Sequence, residues 1–386
     1  MPLDKTERNK IMRPALEVLI GSKHLWHKDL HERSDMTVSS NDADGIPRVK
    51  DAGKTRVVHG VKVQVMHNGL LVKQGGYQGA WQTRVIEALR GVHEPQEEKV
   101  FHAVIQRLKP GATIMELGSW WSYYSLWVLK DLPNSSAICC EPDPGNLELG
   151  KENALLNGYK PGEQIIFYRA AAGSQDGKIV DFHNEDGTLS QVPIRTVDSI
   201  MLERRVATLD ILHLDIQGFE LEALHGSIQS IKANKIRFLF VSTHHYSISG
   251  DPLLHQKCLD FISKNGGHII AKHTILESSS GDGLIVASFY EKDKDFKVSV
   301  SLQPTDDSLF RNYEHDLDIL WKAHNSLIKY AAGLEKRAGR LQAENHKKDI
   351  VIKELDNSVR ELSTFRRFLN RKARSKAKAI KRKIVR

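Results

Sequence analysis

The chain has 386 residues, 40% hydrophobic and 27% charged, enough to bury one large core or two smaller ones. No apolar run approaches the roughly 20 residues that cross a bilayer, and the start "MPLDKTERNK" has no hydrophobic stretch behind it, so the expected location is cytoplasmic. Of the formal net charge of +8, residues 366–386 carry +11 with no acid, which leaves the remainder near −3 and gives no reason to expect nucleic acid on the body of the protein.

Residues 1–55 are polar, with "SSNDADGIPRVKDAGK" dense in turn formers, and are expected to form an accessory or disordered arm. Residues 56–93 form a lead-in segment in which "TRVVHGVKVQVMHNGLLVK" alternates apolar and polar residues, the pattern of a small hairpin turning at His67-Asn68-Gly69. From 94 to 300, helical patterns alternate with the short apolar runs "ATIMEL", "SSAICCE", "QIIFYRA", "DILHLDI", "IRFLFVS", "HIIAKH" and "GLIVAS". Strands separated by helices predict an α/β fold whose largely parallel, Rossmann-like sheet has helices on both faces and binds ligands outside the carboxyl ends of its strands. Cys139, Cys140 and Cys258 have neither disulfide nor zinc spacing and read as buried reduced thiols.

Over 308–370 a heptad repeat places Leu317, His324, Ala331, Ala338, Asn345, Ile352, Val359 and Arg366 at a, and Leu320, Leu327, Leu334, Leu341, Lys348, Leu355, Leu362 and Leu369 at d. Eight heptads in one register predict a long coiled-coil helix and a homodimer, the alternative being a helix folded back on the domain. The basic tail 366–386, with Phe365 just before it and Phe368, Leu369, Ile380, Ile384 and Val385 among its charges, suits an anionic membrane surface, which would make the protein peripheral at the inner membrane face. The tail has no Tyr or Trp for base stacking, so nucleic acid is not expected there either.

Glu116-Leu117-Gly118 ends the first strand of the 94–300 region, and Glu141-Pro142-Asp143 ends the second. An acid at the latter position accepts hydrogen bonds from a ribose diol in folds of this type. The intervening loop, "GSWWS", has one glycine, whereas a pyrophosphate cofactor such as NAD needs several for its backbone to close on a dianion. S-adenosylmethionine (SAM) carries no phosphate, so the loop suits it better. Ser119 and Ser122 can bond to backbone at the helix start, and Trp120 and Trp121 are candidates to wall the pocket, one of them being simply packed.

Three stretches narrow the class. "DILHLDIQGFELEALHGS" resembles the signature strand, turn and helix of FkbM-type SAM-dependent methyltransferases, "VPIRTVDSI" the segment before it, and "EPDPGNLELGKENALLNG" the family's second-strand acid and following helix, together covering roughly residues 94–290. The resemblance implies a Rossmann-like methyltransferase sheet, which the heptad helix then follows. It also implies O-methyl transfer from SAM to a hydroxyl, commonly of a sugar, glycan or glycolipid. Glu116 and Gly118 match the first motif, Glu141 the ribose-binding acid, and Asp215, Gly218 and Glu220 the signature turn, while the tryptophans depart from the usual small-residue loop.

Methyl transfer from a sulfonium requires mainly alignment and removal of a proton. Asp215, at a strand's carboxyl end, could take that proton, bind the SAM amino group, or fix the Gln217-Gly218 turn. His244 and His245 follow the next strand and leave it in opposite directions, so at most one faces the pocket, with His244 favoured as base and surface or capping roles as the alternative. A divalent metal among Asp215, Glu220 and one histidine would have oxygen and nitrogen ligands but no contiguous spacing, and none is expected. His93 and Glu94 could touch cofactor or substrate or simply start a helix. The rival from another class is a catalytically degenerate scaffold acting through its coiled coil and tail.

Overall fold

The computed structural model describes residues 30–384 apart from 306, 307, 311 and 312. All seven apolar runs become strands of one sheet: β4 (Thr113–Leu117), β5 (Ser136–Cys140), β6 (Ile165–Tyr168), β10 (Leu209–Leu214), β11 (Ile236–Thr243), β12 (His268–His273) and β13 (Gly283–Ser288), in the order β12-β13-β11-β10-β4-β5-β6. The pairs from β11 through β6 are parallel, whereas β13 is antiparallel to both β11 and β12. The strand order therefore reverses at β4, which leaves a crevice at the carboxyl ends of β4 and β10.

Alternation along each strand divides the core. Ile114, Ala137, Cys139, Ile211, Phe238 and Phe240 pack on one face of the sheet, and Met115, Ile138, Cys140, Leu212, Leu239 and Val241 on the other. Near-continuous apolar strands are what a sheet covered on both faces requires. The three cysteines are free and buried, and burial pushes the Cys140 thiol up to about 12, so all three act as small packing groups.

The N-terminal segment is built into this domain from Leu30 on. Helix Leu30–Val38 leads to a turn in which Asp42 accepts from Lys99 Nζ at 2.7 Å and from the backbone of Ser301. The expected hairpin is a three-stranded meander, β1 (Thr55–Val58), β2 (Val61–Val65) and β3 (Leu71–Lys73). The added turn is His59-Gly60, both at positive φ (49° and 81°), as a tight two-residue hairpin demands. Asn153 on helix Pro144–Leu156 and Asn157 at its C-cap bond the backbone of Lys73 and Leu71, which docks the meander on the sheet's helical layer. A second unforeseen element is a small sheet of β7 (Ala171–Ala172), β8 (Ile179–His183) and β9 (Leu189–Arg195) inserted after β6.

The C-terminal heptads form a helix, Tyr313–Ile384. Along its described side chains Leu341, Ile352, Leu355, Val359, Leu362 and Phe365 are all exposed. The tail side chains of Phe368, Leu369, Ile380, Ile384 and Val385 lie outside the described residues, as does everything before residue 30. Among the described residues no helix is long and apolar enough to cross a membrane.

Gly118 sits where β4 and β10 converge. Its φ is +73°, and a Cβ there would fall 1.7 Å from the carbonyl oxygen of Asp215. Backbone-to-backbone contact leaves no flexible atom to give way. The Gly118→Ala variant is expected either not to fold or to lose on the order of 3 kcal/mol, read as a lowered melting temperature by circular dichroism; wild-type stability would show that the two strand ends can separate.

Candidate functional site

A cavity of about 980 Å³ opens at the carboxyl edge of the sheet. Its wall includes Gly118 and Trp120 after β4, Glu141 and Pro142 after β5, Ala170–Gly173 after β6, Asp215–Gln217 after β10 and His244 after β11. The segment after the meander adds Tyr77, the inserted sheet Phe182 with Lys178 just before it, and remote segments Arg33, Asp282 and Phe310.

At one end, Glu141 is held by its own loop. One carboxylate oxygen accepts from Trp120 N at 3.0 Å and the other from Asp143 N at 2.9 Å. A carboxylate offers about four acceptor positions, so two remain for a vicinal diol. Burial raises this acid to about 7 against those two bonds, so hydroxyl donors arriving at it would favour its charged form. The neighbouring Asp143 is occupied: it caps helix Pro144–Leu156 through Gly145 N and Asn146 N, and its other oxygen accepts from Glu185 N, tying down the inserted sheet.

At the other end, the His244 imidazole is 1% exposed and faces carboxylates on both edges. Nδ1 lies 2.8 Å from Glu220 Oε1, and Nε2 lies 3.2 Å from Asp215 Oδ1 and 3.6 Å from Asp282 Oδ1. Burial would lower its pKa, but Asp282, Glu220 and Asp215 outweigh that and hold it well above the ordinary histidine value. Glu220 also accepts from Gly218 N at 3.0 Å, so the signature turn exists to present this carboxylate to the ring. Gly218 has φ +106° and packs on Ser249, with no room for a Cβ.

His245 takes the opposite side, as successive strand residues must. It stacks on Phe310 with ring centres 4.0 Å apart, bonds Ser247, and is pushed down to about 4 by burial; it does not line the cavity. Glu116 is turned away too: its carboxylate accepts from Ser125 N at 2.9 Å, at the start of the following helix. Ser119 is buried off the wall, and Ser122, at φ 60°, makes no side-chain cap. Of the two tryptophans, Trp120 lines the cavity, while Trp121 stacks on Tyr77 at 4.5 Å and is packed. No group of His, Cys, Asp and Glu among the described residues is arranged to hold a metal.

Behind the cavity lies a row of buried acids on helix Pro95–Ile105 and the residue that opens it. Glu94 accepts from Tyr124 OH at 3.0 Å, Glu98 from Tyr123 OH at 2.9 Å and faces His93 at 2.6 Å, and Glu97 joins His213 at 2.7 Å and Ser242 at 2.8 Å. Arg33, Tyr77 and Asp282 went unrecognised in the sequence because each comes from a segment with no motif, whereas Glu94 was noted only as a helix-start residue that could touch cofactor or substrate. The signal for Asp282 was its place before "GLIVAS": once that strand is antiparallel, its first residues lie at the same edge as the other strands' last ones.

The sheet order, with its crevice and its acid at the end of β5, defines a Rossmann-like fold. Residues 110–270 match the model of the methyltransferase FkbM domain. It is similar to the 2-O-methyltransferase NoeI of Sinorhizobium fredii, at 23% identity over 190 residues covering 41% of this chain and 75% of that one. Among solved structures it is similar to the METTL16 methyltransferase domain (TM-score 0.38, 16% identity, 59% of this chain and 87% of that one). A SAM-dependent methyltransferase from Aquifex aeolicus aligns with a TM-score of 0.31 and 11% identity, covering 49% and 89%.

Burial, opposed by His93 and reinforced by Glu97, Asp215 and Asp282, raises Glu94 to about 8. An acid whose folded pKa exceeds its unfolded one, about 4.5, stabilises the fold fully below that lower value and loses the contribution as pH rises through 8. The Glu94→Gln variant is therefore expected to melt higher than wild type at about pH 9 and to show a flatter melting temperature between about pH 5 and 9. Parallel curves for the two proteins in a scanning fluorimetry series would refute the assignment.

Proposed function

We propose that the protein transfers a methyl group from SAM to a hydroxyl oxygen, with a carbohydrate or glycolipid as acceptor. The observation that carries the reading is one cavity with two differently built ends. Glu141 is fixed by two backbone amides with acceptor positions to spare for a ribose diol, and Asp215, Asp282 and His244 lie at the other end, where a hydroxyl proton can be received. The similarity to a 2-O-methyltransferase supports the same acceptor class.

The donor set fits SAM. Glu141 would take the ribose hydroxyls, Trp120 and the Ala170–Ala172 segment would flank the adenosine, and Asp215 would take the amino group or lie near it. When bound, SAM supplies an electrophilic methyl carbon on a positively charged sulfur. The chain's own share is to hold the acceptor hydroxyl in line, exclude water and receive a proton. Glu141→Ala removes two charge-assisted hydrogen bonds and is expected to weaken SAM binding by about 1.5 to 3 kcal/mol, or roughly 10- to 150-fold in calorimetry. Unchanged affinity in a folded variant would move the ribose elsewhere, and no affinity in the wild-type protein would favour a scaffold over an enzyme.

The exposed apolar seam of helix Tyr313–Ile384 supports a second reading for that segment: a second copy covers it, and the paired basic tails meet an anionic membrane. Light scattering is expected to give the mass of a dimer, and Leu355→Asp with Leu362→Asp that of a monomer. The wild type should float with anionic vesicles at low salt and not at high salt. A monomeric wild type or salt-independent flotation would refute the respective halves.

A further inference from the structure

We propose that Asp282 is the general base of the transfer, and that His244 is a fixed cation which holds Asp282 and Asp215 in place instead of accepting the proton. The proposal rests on the methyl-transfer reading above and assigns a residue within that site.

The geometry at His244 decides its protonation. Glu220 Oε1 lies against Nδ1, and Asp215 and Asp282 present oxygens to Nε2. An imidazole with a bare lone pair on Nε2 would point that pair at two carboxylates, whereas an imidazolium donates from both nitrogens. The remaining neighbour, the Gln217 side-chain amide at 2.9 Å from Nε2, presents its oxygen to the ring when the amide is turned over, an exchange that leaves its shape unchanged. A ring that already carries both protons has no site for a third.

Asp282 has the exposure and setting of a base. Its side chain is 25% exposed and lines the cavity. The loop that carries it, "SSSGDG", is composed to be mobile but is pinned by side chains of two helices. Arg33 donates to Ser280 O at 2.6 and 3.1 Å, Thr37 Oγ1 to Ser279 O at 2.7 Å, and Ser279 N to Gln96 Oε1 at 2.7 Å. Within the loop, Ser278 Oγ accepts from Ser280 N and Gly281 N. Helices far apart in the chain thus fix one aspartate at the sheet's edge, the preorganisation that a proton acceptor needs. The charged groups around it are His244, Asp215, Arg33, Glu97 and Glu94. Burial raises Asp282 to about 6, His244 opposes this, and Asp215 adds to it, while Asp215 itself is held below the usual aspartate value by its bond to His244. Of the two carboxylates, Asp282 is therefore the stronger base, and it is largely ionised at neutral pH.

In the step, the acceptor O–H bond breaks and its proton passes to the Asp282 carboxylate. The oxygen's electron pair forms the O–CH₃ bond, while the S–CH₃ pair returns to sulfur and neutralises it. Asp282 then gives the proton to water through the open side of the cavity.

Two measurements on the full-length protein test the proposal. Nitrogen-15 spectra of histidine side chains in the cofactor-free protein, with His244 identified by the signal lost in His244→Gln, are expected to show both ring nitrogens protonated at about pH 7.5. A neutral ring there overturns the proposal. Methyl transfer from labelled SAM to a glycan fraction that the wild type methylates is expected to fall about 10²- to 10⁴-fold in kcat for Asp282→Asn, with partial recovery in Asp282→Glu and SAM affinity within about threefold of wild type. The acidic limb of the wild-type kcat profile, near pH 6, is expected to vanish in Asp282→Asn. Wild-type turnover, or an unchanged acidic limb, overturns it. The spectroscopic measurement needs neither cofactor nor acceptor, so failure of the enzyme to methylate any hydroxyl would refute the functional reading separately.

Discussion

A concentration of buried carboxylates is the constraint on which the rest of this domain depends. Asp215, Glu220, Asp282, Glu94, Glu97 and Glu98 converge on the carboxyl edge of the sheet, where water is largely excluded and like charges repel strongly. Three histidines make this tolerable: His244 between Glu220 and the two aspartates, His93 against Glu98, and His213 against Glu97. Burial, reinforced by the neighbouring carboxylates and opposed by the histidines, makes Glu94 and Asp282 hold their protons to higher pH.

Backbone geometry places these groups. β4 and β10 run side by side until Gly118 lies against Asp215, so the loop after β4 and the turn after β10 leave the sheet at one point. The Gln217-Gly218 turn, at φ values of 54° and 106°, doubles the chain back so that Glu220 faces His244 on the adjacent strand. β13 runs the other way, which brings Asp282 beside His244 through the pairing of Gly283 with Thr243. The acids are remote in sequence and adjacent in space because strand direction alternates at this one position.

The strands were legible because a sheet buried on both faces writes itself as short apolar runs, and the seven runs match the seven strands within a residue or two. Glu141, Asp215 and His244 were legible for a related reason, since each is a polar residue at or just past the end of such a run. What the sequence did not show was direction and remote contact. Glu116 ends a strand as Glu141 does, yet it faces the core and serves a helix start, a difference of pleat that its neighbours do not betray. The antiparallel β13 reads like any other apolar run. Arg33 reaches the site through tertiary contacts such as that with Ser280, and the small sheet after β6 lies in a polar stretch where alternation is weak.

The one-glycine loop after β4 takes its meaning from charge. A dianion would require amides converging on it from a helix start, but the amides here are already committed: Trp120 N to Glu141, and Ser125 N to Glu116. Glycine's freedom is spent on the contact with Asp215, and Trp120 and Ser122 take up positive φ without it. With backbone donors turned toward carboxylates, the cavity wall presents acids at both ends, and of its cationic groups Arg33 donates to the Ser280 carbonyl while His244 is held between carboxylates. Such a wall attracts a positively charged cofactor and repels a phosphate. On the reading proposed above, the same charge balance selects acceptors that are neutral and rich in hydroxyls over those carrying carboxylate or phosphate beside the reacting oxygen.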